Sequence, residues 1–227
     1  MRTAVVFVGG DPPHPRVLML LPAERTVIAA DSGYDHARAA GVEVDLVVGD
    51  LDSISAAGLA ELRSRGTTVD QHPSDKDLTD TELALRAGAA SGASVLLVVS
   101  GGGDRLDHSI GAIMALADPA LGDVHVEAWW GTAHIVALRG PRSCRIEGRV
   151  GDTISLLPVG GPAAGLTVRG VQYPLDGETL HPTASRGVSN VFTESIAHIE
   201  IGDGALLVVR PHALDGEQPP SRQETRQ

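Results

Sequence analysis

Short apolar runs alternate with helix-like segments along about the first 120 residues. Four runs are continuously hydrophobic, which is typical of strands that are buried on both faces: Thr3–Val8, Thr26–Ala30, Val44–Val48 and Ser94–Val99. The intervening pattern predicts helices over Tyr34–Ala40, Ala56–Ser64, Thr79–Ala90 and, approximately, His108–Ala117. Thr79 and Glu82 predict a capping box at the start of the third of these helices. Strands that alternate with helices in this way indicate an α/β domain with a doubly wound, mostly parallel sheet.

The pattern changes after about Gly122. The apolar segments become short and are separated by Gly, Pro or Asp turns: Val124–Trp129, Ala133–Leu138, Ser143–Ile146, Thr153–Leu157, Leu166–Val171 and Ala205–Val209. This texture predicts an antiparallel β-sandwich. We therefore expect an α/β domain over residues 1–140, a β-sandwich domain over 141–212 and a disordered tail over 213–227, which is polar and contains Pro-Pro.

Charge and composition narrow the range of partners. The 227 residues include 18 Lys and Arg against 29 Asp and Glu, a net charge of −11, which argues against a nucleic-acid-binding surface. An acidic protein that acts on a phosphorylated substrate needs a metal cation. The single cysteine, Cys144, excludes an internal disulfide, and no apolar run reaches the length of a membrane span. We expect a cytoplasmic protein that does not enter a membrane.

Acidic residues follow the predicted strands at several points. Asp31 comes directly after the second strand and Asp50 after the third, while Asp80 lies in the first turn of a helix. Asp50 and Asp52 are two residues apart, so an extended segment would point both carboxylates the same way. Ligands of open parallel sheets bind beyond the carboxyl ends of the strands, and a hard divalent cation prefers oxygen ligands. The alternative is that each aspartate serves a turn or a helix cap.

A glycine-rich link, Ser100–His108, joins the fourth strand to a helix. Backbone N–H groups of Gly101 and Gly102, together with the helix N-terminus, are suited to binding phosphate, and Arg105 adds a positive charge. The glycines match neither the P-loop nor the dinucleotide-binding pattern, and a plain tight turn is the alternative. Lys76 either neutralises neighbouring aspartates or contacts phosphate.

Taken in order, these segments resemble the thiamine pyrophosphokinase family. The matching segments are Ala30–Gly33 (ADSG), Gly49–Ser53 (GDLDS), Lys76–Asp80 (KDLTD), Gly101–His108 (GGGDRLDH), Gln172–Leu175 (QYPL) and Ser189-Asn190. Each is a weak signal alone, but the ordered set extends over about residues 3–210. The sequence departs from the family pattern at Ser32, at Asp104 and at Ala112, where many members carry Asn.

The resemblance implies a homodimer that binds thiamine between its subunits and uses Mg²⁺ and ATP. The hydroxyl of thiamine would attack the β-phosphorus of ATP, and AMP would leave. The metal site would consist of Asp31, Asp50, Asp52 and Asp80, and the catalytic residues would be Asp50, Asp52, Asp80 and Lys76. ATP would be bound by Asp31, Asp77, Gly101, Gly102, Arg105, Asp107 and His108, and thiamine by Ser189 and Asn190. The sequence does not choose the carboxylate that accepts the hydroxyl proton.

Three further alternatives stay open at the level of sequence. Asp50-Leu51-Asp52 resembles the DxD segment of haloacid-dehalogenase-like phosphatases, in which Asp50 would be the nucleophile. A non-catalytic regulator that binds thiamine or a nucleotide on the same fold is the second. The third concerns Trp129 and Trp130, which are either stacking surfaces for thiamine or core residues.

Overall fold

The fold is described from a computed structural model that covers residues 2–103 and 105–215. Asp104 and residues 216–227, most of the predicted tail, lie outside the described residues. The part of that tail that is described is packed: Leu214 is buried, its N–H donates to the Thr132 carbonyl and its own carbonyl accepts a hydrogen bond from Arg16. Packed residues are therefore present beyond the predicted domain boundary at residue 212.

The N-terminal half alternates strands and helices, as predicted. Its elements are β1 (Thr3–Phe7), α1 (Pro15–Leu18), β2 (Thr26–Ala30), α2 (Gly33–Ala39), β3 (Leu46–Gly49), α3 (Ala56–Arg65), β4 (Thr68–Gln71), α4 (Asp80–Ala90), β5 (Val95–Ser100), α5 (Leu106–Ala115), a 3-10 helix (Pro119–Leu121) and β6 (His125–Trp130). The C-terminal half contains β7 (Ala133–Arg139), β8 (Arg142–Glu147), β9 (Thr153–Arg169), β10 (Leu175–Leu180), β11 (Asn190–Val191), β12 (Ile196–Ile201) and β13 (Asp203–Arg210).

Six parallel strands in the order β4-β3-β2-β1-β5-β6 form the first part of the sheet. β6 corrects the prediction for Val124–Trp129, which the sequence pattern assigns to the antiparallel part, because it pairs in parallel with β5. Side chains of β1 alternate between two cores, as the period of a strand requires. Val6 packs in the core that contains Leu85 of α4, and Phe7 packs in the core that contains Val17 and Ala37 of α1 and α2. Helices thus cover both faces, so the apolar runs of these strands are continuous rather than alternating.

The sheet continues past residue 140 and becomes antiparallel at β7. β13 pairs with β7 on one side and with the first half of β9 on the other, while the second half of β9 pairs with β10 and β12. A separate apolar core lies among these strands and includes Leu156, Leu166 and Ile199. The described chain is therefore a mixed sheet with helices, in which the parallel and antiparallel parts share one sheet. The sandwich and the boundary at residue 140 stay predictions.

β9 differs most from the prediction, because it is one strand of 17 residues that contains the predicted strand Thr153–Leu157 and most of the predicted strand Leu166–Val171. The sequence in the middle of β9 is rich in glycine and therefore predicts a turn. In the structure Gly160 and Gly165 both have positive φ and bend the strand without ending it. The predicted capping box of α4 is confirmed: Thr79 Oγ1 accepts the Glu82 N–H, and the Glu82 carboxylate accepts the Thr79 N–H. No helix of the described chain has the length and hydropathy needed to span a membrane.

Candidate active site

A cavity of about 590 Å³ lies at the carboxyl ends of the parallel strands. β2 and β3 lead into it at Asp31 and Asp50, and the first turns of α4 and α5 close its sides. Of the predicted site residues, those that line this cavity are Asp31, Asp50, Asp52, Lys76, Asp77, Asp80, Arg105 and His108. The expectation that the strand-end aspartates meet in one place therefore agrees with the structure.

Asp31 is a buried carboxylate with an unusual backbone conformation and incomplete hydrogen bonding. Its backbone has a φ of 45°, a left-handed conformation that few residues other than glycine adopt, and its N–H donates to the Val48 carbonyl. Ser53 donates to Oδ2, whereas Oδ1 is buried and has no hydrogen-bond partner among the described residues. Burial raises the pKa of Asp31, and the nearby Asp80 adds to the increase, so a cation here would relieve an unfavourable charge.

Asp50 and Asp52 converge on Asp31 by a different geometry from the predicted one. The segment is a tight turn rather than an extended strand: Leu51 has a φ of 70°, and the Asp52 N–H donates to Asp50 Oδ1 at 3.1 Å. That N–H lowers the pKa of Asp50 despite its partial burial. Even so, one carboxylate oxygen from each of Asp31, Asp50 and Asp52 lies within 4.8 Å of the others, a spacing that a single metal ion can bridge.

Asp80, the fourth predicted ligand, lies beside this group and is not a member of it. The Nζ atom of Lys76 is 3.0 Å from Asp80 Oδ1 and 3.7 Å from Asp50 Oδ2, and it donates to the Pro73 carbonyl. Gly49 permits this crowding, because a Cβ on it would lie 3.0 Å from the Asp80 carboxylate. Lys76 therefore neutralises Asp80 and Asp50 while it faces the cavity.

The glycine-rich link is arranged differently from the predicted phosphate cradle. The Gly101 N–H donates to the Asp11 carbonyl and the Gly102 N–H to Ser100 Oγ, so neither amide is available to an anion in this structure. Gly103 lines the cavity instead. The reason is a loop after β1 whose Asp11 pairs with this link, a contact between residues about ninety positions apart that spacing alone does not reveal.

Arg105 and His108 line the cavity, whereas Asp107 does not. Asp107 forms an exposed ion pair with Arg105, in which Arg105 Nη2 lies 2.6 Å from Asp107 Oδ2. The bonds from Arg105 lower the pKa of Asp107 to about 2. In this structure Asp107 contacts Arg105 outside the cavity and does not line it.

Asn190 and Ser189 lie far along the chain, in the antiparallel part. Asn190 is buried and lines a second cavity of about 480 Å³, together with Tyr173 and Val188. Its amide is used by the protein: Oδ1 accepts the Tyr173 and Val191 N–H groups, and Nδ2 donates to the Tyr173 carbonyl. Ser189 is exposed and is not among the residues that line this cavity. Asn190 shapes the cavity wall through the segment at Tyr173.

The chain is similar to known proteins over most of its length. The profile "Thiamin pyrophosphokinase, catalytic domain" matches residues 18–127, and "Thiamin pyrophosphokinase, vitamin B1 binding domain" matches residues 143–206. Together the two profiles span well over half of the chain. The chain belongs to the thiamine pyrophosphokinase family.

Individual relatives agree with this assignment to the thiamine pyrophosphokinase family. The thiamine pyrophosphokinase of Bacillus subtilis (strain 168) is 24% identical over 212 residues, which cover 92% of this chain and 99% of that protein. A crystal structure of the Bacillus subtilis protein matches with a TM-score of 0.79 at 23% identity, covering 92% of this chain and 98% of that one. The Candida albicans thiamin pyrophosphokinase matches with a TM-score of 0.74 at 15% identity, covering 91% and 89%. These structural matches support the fold.

Some cavity residues of this thiamine pyrophosphokinase family member were not predicted from sequence. Gly9 and Gly10 line the cavity from the loop after β1, and the Gly-Gly pair directly after a buried strand is the signal that marks them. Ser74 and Ser109 also line it and carry no distinguishing sequence signal. Trp130, for which the sequence allows either a stacking surface or a core position, lines the cavity and is partly buried against the core of Ala128. Trp129 points to the other face of the sheet and packs with the core of Phe7.

Proposed function

We propose that the protein transfers a pyrophosphoryl group from ATP to the hydroxyl of thiamine, giving thiamine diphosphate and AMP. The observation that carries this function is the convergence of Asp31, Asp50 and Asp52 within a cavity of about 590 Å³. Membership of the thiamine pyrophosphokinase family supports the reaction and the substrates.

The donor set of the carboxylate cluster fits Mg²⁺. Three carboxylates supply hard oxygen ligands, and the buried Oδ1 of Asp31 lacks a hydrogen-bond partner among the described residues. Asp31, Asp50 and Asp52 would hold the ion, with Asp80 beside them. Bound Mg²⁺ would neutralise charge on the phosphate oxygens. The three carboxylates, brought together from two strand ends, fix where the triphosphate lies.

Positively charged residues at the cavity complement the phosphates. Burial opposes the charge of Lys76, but the adjacent Asp80 outweighs it and raises the pKa of Lys76, so the ammonium group persists at neutral pH. Lys76 contacts the transferring phosphates, and Arg105 and His108 approach them from the start of α5. These groups position the chain of phosphates in line with the attacking hydroxyl, which is the main source of catalysis in phosphoryl transfer.

We place thiamine against the second cavity and a second copy of the chain against the first. Leu106, Ile110 and Met114 are exposed along one face of α5, beside the cavity residues Ser109 and Ala112. Tyr173 and Val188 are exposed at the second cavity. Pairing of two chains through these apolar faces would cover both and bring the two cavities together. Residence in the cytoplasm stays a prediction from the sequence.

The alternative functions are not favoured. Asp50 is bonded to its own turn and lies beside Lys76, and the family comparisons give no support to a haloacid-dehalogenase-like phosphatase. A non-catalytic regulator would be expected to lack some of the carboxylates, whereas Asp31, Asp50, Asp52 and Asp80 all line the cavity.

The test is an incubation of the purified protein with thiamine, ATP and Mg²⁺, followed by chromatography. We expect equal amounts of thiamine diphosphate and AMP, and no product when EDTA is added. ADP with thiamine monophosphate would overturn the proposed transfer. Release of inorganic phosphate without any need for thiamine would favour a phosphatase.

A further inference from the structure

Trp130, the last residue of β6, is the one Phe, Tyr or Trp among the described residues that line the main cavity. Its side chain lies on the same face of the sheet as α4 and α5, partly buried against the core that contains Ala128. The proposed function assigns roles to the carboxylates and to the positively charged residues but none to this indole. An aromatic surface that lines a nucleotide-sized cavity is suited to stacking on a heteroaromatic ring.

Two glycines lie next to the indole. A Cβ on Gly102 would lie 3.3 Å from both Cδ1 and Nε1 of Trp130, so the glycine lets the backbone pass close to the ring. Gly131, with a φ of 59°, follows directly, and its N–H donates to the Ser100 carbonyl. Ala112 of α5 lines the cavity without adding bulk or a polar group. The link at Gly102 therefore has a role that differs from binding phosphate: it packs against the tryptophan.

The position of Trp130 relative to the carboxylates suits one substrate. β2, β1, β5 and β6 are consecutive neighbours, so the end of β6 lies three strand spacings, about 14 Å, from the end of β2 at Asp31. A nucleoside triphosphate whose phosphates lie at the carboxylates is long enough to carry its base across β1 and β5. Its ribose would then pass over the loops that contain Gly10 and Gly103.

We propose that Trp130 is the stacking surface for the adenine base of ATP. The inference rests on the proposed function for the location of the phosphates and adds the residue that binds the base. A purine offers a large π-face to the indole, and the surrounding glycines and Ala112 leave space for it. Stacking of the thiamine ring on Trp130 is the competing outcome.

Fluorescence tests the proposal directly, because the chain contains two tryptophans. In a Trp129→Phe variant Trp130 is the single tryptophan. We expect saturable quenching of its emission by ATP with Mg²⁺, and much less by tripolyphosphate with Mg²⁺, which has the phosphates but no base. Equal quenching by tripolyphosphate, or quenching by thiamine alone, would overturn the assignment.

Kinetics with a matched pair of variants give a second readout. Loss of one base–aromatic stack weakens binding by between about fivefold and a hundredfold. We expect Trp130→Ala to raise KM for ATP within this range while KM for thiamine changes less than about twofold, and Trp130→Phe to restore much of the ATP affinity. Trp129→Phe, altered on the opposite face, should change neither. A selective rise in KM for thiamine in Trp130→Ala would contradict the proposal.

The two hypotheses fail differently. If the protein forms no thiamine diphosphate but ATP with Mg²⁺ still quenches Trp130, the proposed function fails and the base site stands. If thiamine diphosphate forms at the normal rate in Trp130→Ala with unchanged KM for ATP, the base site fails and the proposed function stands. The Trp129→Phe reporter retains Trp130, so an unstable Trp130→Ala protein does not block the test.

Discussion

Asp31 and Asn190 are both buried polar residues, one in each half of the molecule. They differ in whether the protein provides hydrogen-bond partners for their side-chain atoms. Asn190 has its amide oxygen and nitrogen bonded to the backbone of Tyr173 and Val191. Asp31 has a buried oxygen without a hydrogen-bond partner among the described residues, and two other carboxylates face it. Burial of a polar group costs free energy unless the group is bonded.

This difference in hydrogen bonding distinguishes structural residues from residues that can bind a ligand. A residue such as Asn190, whose hydrogen bonds are made within the protein, holds a wall in place. A residue such as Asp31 has an unfavourable buried charge, which a cation bound from outside the chain would stabilise. The parallel half concentrates this unfavourable charge at its strand ends.

The largest effect is expected for Asp50→Asn. Loss of one carboxylate from the metal cluster should reduce kcat by at least about 10³-fold, because the charge on the phosphates would no longer be neutralised. Circular dichroism and the melting temperature should stay close to those of the wild type. Turnover near the wild-type value in this variant would remove Asp50 from the site.

Asn190→Ala tests the structural role of Asn190. Three hydrogen bonds would be lost and buried backbone groups at Tyr173 left unpaired, so unfolding in urea should show a loss of about 3 kcal/mol. Ser189→Ala, at the exposed neighbour, is the control and should change stability little. An unchanged stability for Asn190→Ala, with only a higher KM for thiamine, would instead make Asn190 a direct ligand.

Glu127 is a partly buried carboxylate with partners, and it sharpens the contrast with Asp31. His125 and His134 each place Nε2 within 3.0 Å of it and lower its pKa from 4.5 to about 2. Because the pKa in the folded state is the lower one, Glu127 stabilises the protein above pH 4.5, and this contribution is lost as the pH falls towards 2. Glu127→Gln should therefore cost about 2 kcal/mol at pH 7.

The cost of Glu127→Gln should disappear in unfolding experiments near pH 2, where the wild-type carboxylate is also becoming neutral. A loss of stability that is the same at both pH values would show that the charge of Glu127 is not the cause.

The smallest change in stability, and one of opposite sign, is expected for Asp31→Asn in the absence of metal. Burial raises the pKa of Asp31, so its ionised form is disfavoured in the fold, and this penalty grows as the pH rises through the raised pKa. Without metal at pH 7, Asp31→Asn should raise the melting temperature by about 2 to 4 °C, equivalent to roughly 1 kcal/mol. Asn also tolerates the left-handed backbone at this position.

Added Mg²⁺ should stabilise the wild type more than Asp31→Asn and so reduce the difference between them. A lower melting temperature for the metal-free Asp31→Asn protein would mean that the charge of Asp31 is satisfied within the fold.

Sequence patterns were sufficient where the decisive forces are local. The continuous apolar runs located the buried strands, and the Thr79–Glu82 pair located the start of α4. β4 was not predicted as a strand because all four of its residues are exposed, and β9 was divided in two because its central glycines resemble a turn.

The parallel topology is enough to predict that the residues after neighbouring strand ends lie close together, but it does not predict contacts made by segments that are distant in sequence. Asp31 and Asp50 could be brought together from the parallel topology alone. The amides of Gly101 and Gly102 could not be assigned correctly, because Asp11 and Ser100 accept their hydrogen bonds and neither acceptor is marked in the pattern. Leu51 has a left-handed backbone that turns Asp52 towards Asp50. The two-residue spacing of the aspartates, which assumes an extended segment, does not predict this turn.

The central claim is that Asp31, Asp50 and Asp52 bind one divalent cation together with the phosphates of ATP. A crystal structure with Mn²⁺ and a non-hydrolysable ATP analogue tests it most directly, since manganese is located by its anomalous scattering. The account predicts one strong anomalous peak in contact with oxygens of all three carboxylates and of the bound phosphates. Manganese bound elsewhere, or phosphates placed away from these carboxylates, would contradict it.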